Sequence, residues 1–238
     1  MTAPARTVRM TSAGPPGVRQ GRRIPTRLLF VGGVVGPILF VATFLIEGAT
    51  RPGYNAVRQF VSTLSLGDGG LVQAANFVVS GMLIAGFGMG LRTLGGDDRP
   101  RWLPWSIVLA GLGLAWAGLF PADPQGGYPT WISMAAADDP TWHARLHFIG
   151  GVTVTMALPL AILGEARRAT AARQAGRALY AWGSAAVAVG CTVAGLALGG
   201  FGGTFAWAGL VQRASFIGAL QWLVAFAAVQ VRDSATGA

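Results

Sequence analysis

Six stretches of the chain contain no charged residue and are long enough to cross a lipid bilayer as helices. About 20 helical residues span about 30 Å of hydrocarbon, and one charge at mid-membrane costs about 2.5–3.5 kcal/mol. Six successive stretches that all avoid this cost predict an all-α polytopic membrane bundle. The predicted spans are Leu28–Ile46, Leu71–Leu91, Trp102–Phe120, Leu146–Leu163, Ala178–Leu198 and Ala214–Val231.

The composition agrees with a membrane protein and disfavours other classes. Only 11% of the residues are charged and 53% are hydrophobic, whereas a soluble domain carries roughly 25% charged residues. The 18 basic residues are all arginine, which we interpret as GC-rich coding and a bacterial source. They lie between apolar stretches rather than on a soluble module, so we expect no nucleic-acid binding. Cys191 is the single cysteine, which excludes an internal disulfide or a thiolate metal cluster.

The distribution of arginine predicts the orientation. Of the 18 arginines, 14 fall in segments 1–27, 92–101, 164–177 and 232–238, whereas the three alternate loops together hold 4. By the positive-inside rule the arginine-rich side is cytoplasmic. We therefore predict a plasma-membrane protein with both the N-terminus and the C-terminus in the cytoplasm.

The same pattern divides the chain into three parts. Residues 1–27, rich in Pro, Gly and Arg, are predicted to be a disordered basic cytoplasmic segment. Residues 28–232 form the six-helix transmembrane domain, and residues 233–238 form a short cytoplasmic tail. The first apolar stretch exceeds the usual signal-peptide core of about 7–15 residues, so we expect it to be retained. The glycines of 199–203 predict a tight outer turn before the last helix.

The first outer loop contains a predicted short helix over Asn55–Leu64. Val57, Phe60, Val61 and Leu64 recur at helical spacing and form one apolar face. Arg58, Ser62 and Ser65 share another face, and Asn55 is placed to cap the helix. This interfacial helix is interpreted either as a lid over an outer cavity or as a strap that closes the bundle, with Arg58 paired to Glu47 or Asp68.

Three groups of residues occur in an order typical of a known family. They are Arg51-Pro-Gly-Tyr-Asn with Arg58, Val61-Ser-Thr-Leu-Ser-Leu-Gly and Leu71-Val-Gln-Ala-Ala-Asn-Phe; Phe120-Pro-Ala-Asp-Pro with Gly127-Tyr-Pro, Thr141 and Leu146-His147; and Ala208-Gly-Leu-Val-Gln-Arg213 with Trp222. Over residues 28 to 232 the chain resembles domain-of-unknown-function family 998 of bacterial membrane proteins. The resemblance implies the membrane topology and carries no established activity. Leu71 and Ala144 stand where the family usually shows Trp and Gly, and His143 is an addition.

Asp123 follows the third predicted helix and His147 begins the fourth, so the two lie at matching depth. They are candidates for a catalytic acid–base pair. His143 and His147 are four residues apart, so with Asp123 they are candidate ligands of a zinc ion with an open fourth position. The alternative is a structural hydrogen bond from His147 to Asp123 or to a loop carbonyl.

Arg213 lies near the start of the last helix, on the side where the orientation rule requires no positive charge. An ionisable group at this depth indicates a function if it has a partner, and we predict Asp123 or Glu47 as that partner. Its guanidinium is suited to clamp a carboxylate or a lipid phosphate. The alternative is an arginine that extends to the membrane interface.

These residues support two functional hypotheses, and the sequence leaves open whether the protein is an enzyme. The first is an outward-facing polar pocket, formed around Arg58, Asp123, His147 and Arg213, that binds a lipid headgroup or a small anionic ligand. Its candidate ligand-binding residues are Glu47, Arg51, Tyr54, Arg58, Ser62 and Arg213. The second is a membrane-embedded hydrolase that uses Asp123 and His147. Membrane lipids are the expected partners, no cofactor is expected, and the oligomeric state is undetermined.

Overall fold

The computed structural model describes residues 26–93, 99–125, 127–130, 139–199 and 206–236. These residues form six α-helices and one short 3₁₀ helix, Val61–Ser65. The α-helices are α1 (Thr26–Thr50), α2 (Gly70–Arg92), α3 (Trp102–Leu119), α4 (Trp142–Ala171), α5 (Ala175–Gly199) and α6 (Ala208–Thr236). All six are long and apolar enough to cross a membrane. The predicted all-α class is confirmed, and the chain is an integral, multi-pass membrane protein.

Two predictions fall largely outside the described residues. Residues 1–25 of the predicted disordered segment are not described, although Thr26 and Arg27 already belong to α1. The predicted glycine turn also lies outside the described residues from Gly200 onward, and Gly199 ends α5. Both stay predictions.

The helices extend beyond the predicted spans because charge limits only the part of a helix that lies in hydrocarbon. The fourth helix was predicted over Leu146–Leu163, but α4 runs from Trp142 to Ala171 and includes charged residues in its last turns. Local chemistry determines where helices begin and end. The Oγ1 of Thr141 accepts a hydrogen bond from the backbone N–H of Ala144 at 3.3 Å and so caps the start of α4. Phe120, which precedes a proline, is extended and ends α3.

The six helices form a ring in sequence order. Each helix packs against its neighbours in the chain, and α6 packs against α1 and closes the ring. An even number of crossings places Thr26 and Thr236 at the same end, which we term the terminal end. The opposite end carries the 3₁₀ helix, residues 121–125 and the starts of α4 and α6. We term it the distal end.

Aromatic side chains fill the middle of the ring. Phe40 of α1 is fully buried, and its ring meets those of Phe44, Phe77 and Phe216 edge-on at centroid distances of 5.4, 5.2 and 5.7 Å. Beside it, a space of only about 10 Å³ remains between residues of α1, α2, α3, α4 and α6. The centre of the bundle around Phe40 is therefore filled by side chains.

Helices α2 and α3 approach each other most closely through glycine. A Cβ atom on Gly81 would lie 2.5 Å from the backbone nitrogen of Ala115 and 2.5 Å from the carbonyl oxygen of Gly111. A Cβ on Gly111 would lie 2.4 Å from the nitrogen of Ala85. Small residues at such a crossing let two backbones pack directly.

Candidate functional site

The segment between α1 and α2 differs from the predicted helix. Asn55 caps a turn, since its Oδ1 accepts from the backbone N–H of Val57 at 3.0 Å and of Arg58 at 3.3 Å. The helix itself begins only at Val61 and is of the 3₁₀ type. A short helix is thus present, but the ten-residue α-helix over Asn55–Leu64 is not. Its predicted apolar face is split, because Val61 and Leu64 are buried whereas Val57 is 42% exposed.

Arg213 holds this segment against α6. The residue is only 5% exposed, and its Nη1 donates to the carbonyl oxygens of Ala56, Gln59 and Gly209 at 2.6, 2.9 and 3.0 Å. Its Nη2 donates to the hydroxyl of Tyr54. We term this group the arginine clamp. The prediction that Arg213 pairs with Asp123 or Glu47 is wrong, because its partners are backbone carbonyls and a phenol.

Other hydrogen bonds attach the same segment to the start of α6. The backbone N–H of Leu210 donates to the carbonyl of Val57 at 3.0 Å, and the Oε1 of Gln212 accepts from the backbone N–H of Val61 at 2.8 Å. A buried loop needs partners for its backbone groups, and α6 supplies them. Burial also raises the pKa of Tyr54 above its ordinary value of 10.0, although nearby Arg213 opposes this rise.

A second group ties the end of α1 to the start of α2. Arg51 forms an ion pair with Glu47, and its Nη1 donates to the carbonyl oxygen of Asp68 at 2.5 Å. Glu47 is therefore paired with Arg51 and not with Arg58. Among the described residues, Arg58 forms no ion pair with Asp68 either, and its side chain is exposed.

Asp123 binds the start of α4. Its Oδ2 accepts from the backbone N–H of Thr141 at 2.9 Å, and its Oδ1 accepts from the Thr141 hydroxyl at 2.6 Å. Since that hydroxyl has given its hydrogen to the carboxylate, the Nδ1 of His143, 2.9 Å away, must be the donor to Thr141. The segment after α3 is thereby fixed to α4.

His147 caps the end of α3. Its Nδ1 lies 2.8 Å from the carbonyl oxygen of Ala117 and 2.9 Å from that of Phe120, where carbonyls at a helix end lack intrahelical partners. In return, the Nε1 of Trp116 donates to the carbonyl of Leu146 at 2.9 Å. Of the predicted alternatives, the structure has the bond to a loop carbonyl. Within the described residues no hydrogen bond joins His147 to Asp123.

The candidate metal ligands Asp123, His143 and His147 are not assembled into a metal site. In the described part of the chain, no three His, Cys, Asp or Glu side chains are placed to hold one ion. The Nδ1 atoms of both histidines face hydroxyl or carbonyl oxygens instead.

A cavity of about 640 Å³ lies between the distal halves of α4, α5 and α6. Of the predicted site residues, Ser62, Asp123 and His147 line it, whereas Glu47, Arg51, Tyr54, Arg58, His143 and Arg213 do not. The structure therefore divides the predicted site. The cavity is lined by one acidic and two uncharged members of the predicted set, whereas the predicted arginines lie outside it.

The cavity belongs to a part of the chain that a family model covers. The model described as "Protein of unknown function (DUF998)" matches residues 34–229. The chain belongs to the DUF998 family. No curated protein and no solved structure matches the sequence.

The cavity of this DUF998 protein is amphipathic. It follows α4 from Ala144 to Thr155, which at 1.5 Å per residue is about 16 Å, or roughly half of a 30 Å hydrocarbon layer. Its polar groups include Asp123, His147 and Gln212. Its apolar wall consists of side chains such as Phe60, Phe148, Ile149, Val152, Leu196, Val211 and Phe216.

Several lining residues of this DUF998 protein were not predicted. Gln212 could have been identified from the sequence, because it precedes Arg213 in a stretch that carries the family resemblance. Cys191, Thr192 and Ser215 gave no such indication, since they are uncharged residues within apolar spans. The hydroxyls of Thr192 and Ser215 lie 3.1 Å apart and join α5 to α6 beside the cavity.

Proposed function

We propose that this protein binds one membrane amphiphile in the cavity between α4, α5 and α6. The observation that carries the proposal is a cavity of about 640 Å³ with an apolar wall and polar groups from the segment after α3 and from the starts of α4 and α6. An acyl chain would lie along the apolar wall, and a headgroup would lie near Asp123 and His147. The length of the cavity suits the chain of a lipid from one leaflet.

A small anion is a poorer candidate because the arginines predicted to bind it have other roles. Arg213 donates to carbonyls and to Tyr54, Arg51 is paired with Glu47, and Arg58 is outside the cavity. An anion there would have to approach Asp123 without a buried cation to offset the repulsion.

The amphiphile would come from the outer leaflet of the plasma membrane. This proposal rests on the arginine-rich loops, which flank the terminal end and would be cytoplasmic. Both termini would then lie in the cytoplasm, and the distal end with its cavity would face outward.

A hydrolase is less well supported. It would need His147 as a base beside a nucleophile, and the described residues place no serine, threonine or cysteine side chain in hydrogen-bond contact with its ring. We therefore favour binding.

The proposal is tested by filling the cavity. Gly195 lines it, and a Cβ there would meet only the Cγ1 of Val211 at 3.7 Å. Gly195→Leu therefore places a side chain in the cavity without a backbone clash. Gly190→Leu is the matched control, since a Cβ at Gly190 meets nothing within 4 Å and the residue does not line the cavity. The measurement is cross-linking by a phospholipid with a photoreactive acyl chain, mapped by peptide.

We expect Gly195→Leu to lower cross-linking to α4 and α6 peptides of the cavity several-fold and Gly190→Leu to leave it unchanged. Gly151→Leu, which fills the cavity from α4 where a Cβ meets nothing within 4 Å, should act like Gly195→Leu. Equal cross-linking of these peptides in folded samples of all variants would contradict the proposal.

A further inference from the structure

The hydrogen bonds of His147 determine what its ring presents to the cavity. Both partners of Nδ1 are backbone carbonyls, which can only accept, so Nδ1 carries the hydrogen. In the neutral ring Nε2 is then a bare acceptor. No group among the described residues hydrogen-bonds to this nitrogen. Since His147 lines the cavity, an occupant that reaches the free ring nitrogen must bring a donor.

Asp123 adds a second acceptor to the same cavity. Its carboxylate already receives two hydrogen bonds from Thr141, and two oxygens with about four acceptor positions leave capacity for more. The side chain is 30% exposed and lines the cavity. Asp123 and His147 together therefore favour a headgroup with hydrogen-bond donors.

Gln212 and Ser62 supply donors. The Oε1 of Gln212 is occupied by the backbone N–H of Val61 at 2.8 Å, so its Nε2 hydrogens are what remains for an occupant. The hydroxyl of Ser62 has no hydrogen-bond partner among the described residues, and the residue is 9% exposed. Both line the cavity. The headgroup therefore needs acceptors as well as donors.

The charge of the lining limits the headgroup further. Asp123 is the lining acid and Arg145 is the lining base. Arg145 is 61% exposed, and its Nη2 lies 3.7 Å from a carboxylate oxygen of Asp139. The positive charge of Arg145 therefore lies at the solvent-exposed edge of the cavity. A phosphate would meet the carboxylate of Asp123 without a buried counter-charge, and an ammonium group could not accept from Gln212.

Hydroxyl groups both donate and accept, and they carry no charge. We propose that the cavity selects a lipid with an uncharged headgroup bearing several hydroxyls, of the glycerol or sugar type. This selection rests on the proposed function. The hydroxyls would donate to Asp123 and to the Nε2 of His147, and they would accept from Gln212 and Ser62.

The test is native mass spectrometry of the full chain with three lipids of identical acyl chains. They are a monoglycosyl diacylglycerol, phosphatidylglycerol and phosphatidylethanolamine. We expect the glycolipid to be retained at least about tenfold better than the other two. Gln212→Glu keeps the acceptor for Val61 and replaces the donor by a carboxylate oxygen, so it should remove this preference, and Ser62→Ala should reduce it.

Two controls address charge and folding. Gln174→Glu adds the same charge between α4 and α5 at the terminal end, and Ser106→Ala removes a buried hydroxyl that donates to Trp102 in α3. Both should keep the preference. A wild-type preference for either phospholipid, or an unchanged preference in Gln212→Glu, would overturn the headgroup inference. If Gly195→Leu then lowers retention of all three lipids equally, amphiphile binding survives. If it lowers none, the proposed function fails instead.

Discussion

At the scale of single residues, Arg213 shows why a partner is harder to predict than a charge. A charged side chain in an apolar helix is visible in any sequence. Its acceptors are backbone carbonyls, which every residue carries, so no pattern marks those of Ala56 and Gln59. A carboxylate was predicted as the partner of Arg213 because a sequence shows which side chains can accept a hydrogen bond, but not which backbone carbonyls lie nearby.

Arg213→Leu should destabilise the protein. Three carbonyls and the Tyr54 hydroxyl lose a donor, and a buried group without its partner costs about 1–3 kcal/mol. We expect the free energy of unfolding to fall by about 3 kcal/mol or more. This would be measured as a lower midpoint of thermal unfolding in detergent.

Arg58→Leu is the control for the arginine clamp. Arg58 is exposed and lies in the same segment, and surface changes of this kind are usually within about 0.5 kcal/mol. If both substitutions lowered the midpoint equally, the clamp would have no special role.

At the scale of helices and loops, how well a segment could be predicted depends on whether it lies in the hydrocarbon of the membrane. All six spans could be predicted, because hydrocarbon excludes charge over a defined length. The connection after α1 could not be predicted in detail, because it is shaped by a hydrogen bond that Leu210 donates and one that Gln212 accepts, and both residues lie about 150 positions later in the chain. The same holds for the candidate site. Asp123 and His147 were recognised as polar residues just beyond one predicted span and at the start of the next, but Thr192 and Ser215 lay unmarked within spans.

Gly81→Ala should disrupt the crossing of α2 and α3. The new Cβ would lie 2.5 Å from backbone atoms of α3, so the helices must separate. Gly86→Ala is the matched control on the same helix, since its Cβ would meet a Leu29 side chain at an ordinary 3.6 Å. We expect Gly81→Ala to lower the unfolding midpoint and the amount of folded protein in membranes. Gly86→Ala should be neutral or slightly stabilising through helix propensity. The reverse order would contradict this packing.

At the scale of the whole molecule, the sequential ring and the arginine distribution make one prediction about topology. Alkaline phosphatase, which is active only outside the cytoplasm, should be active when fused after Gln125. A fluorescent protein that matures in the cytoplasm should fluoresce when fused after Arg173, between α4 and α5. Activity of the phosphatase at Arg173 and its absence at Gln125 would invert the proposed orientation and place the cavity toward the cytoplasm.

Closure of the ring by α6 has a consequence for biogenesis. The ribosome makes α6 after the other five helices, so α1 to α5 can pack in order as each emerges, while the carbonyls of Ala56 and Gln59 still lack Arg213. The third wall of the cavity is missing during the same interval. Arrival of α6 completes the arginine clamp and the cavity in a single step, so the proposed binding site forms only once all six helices have packed.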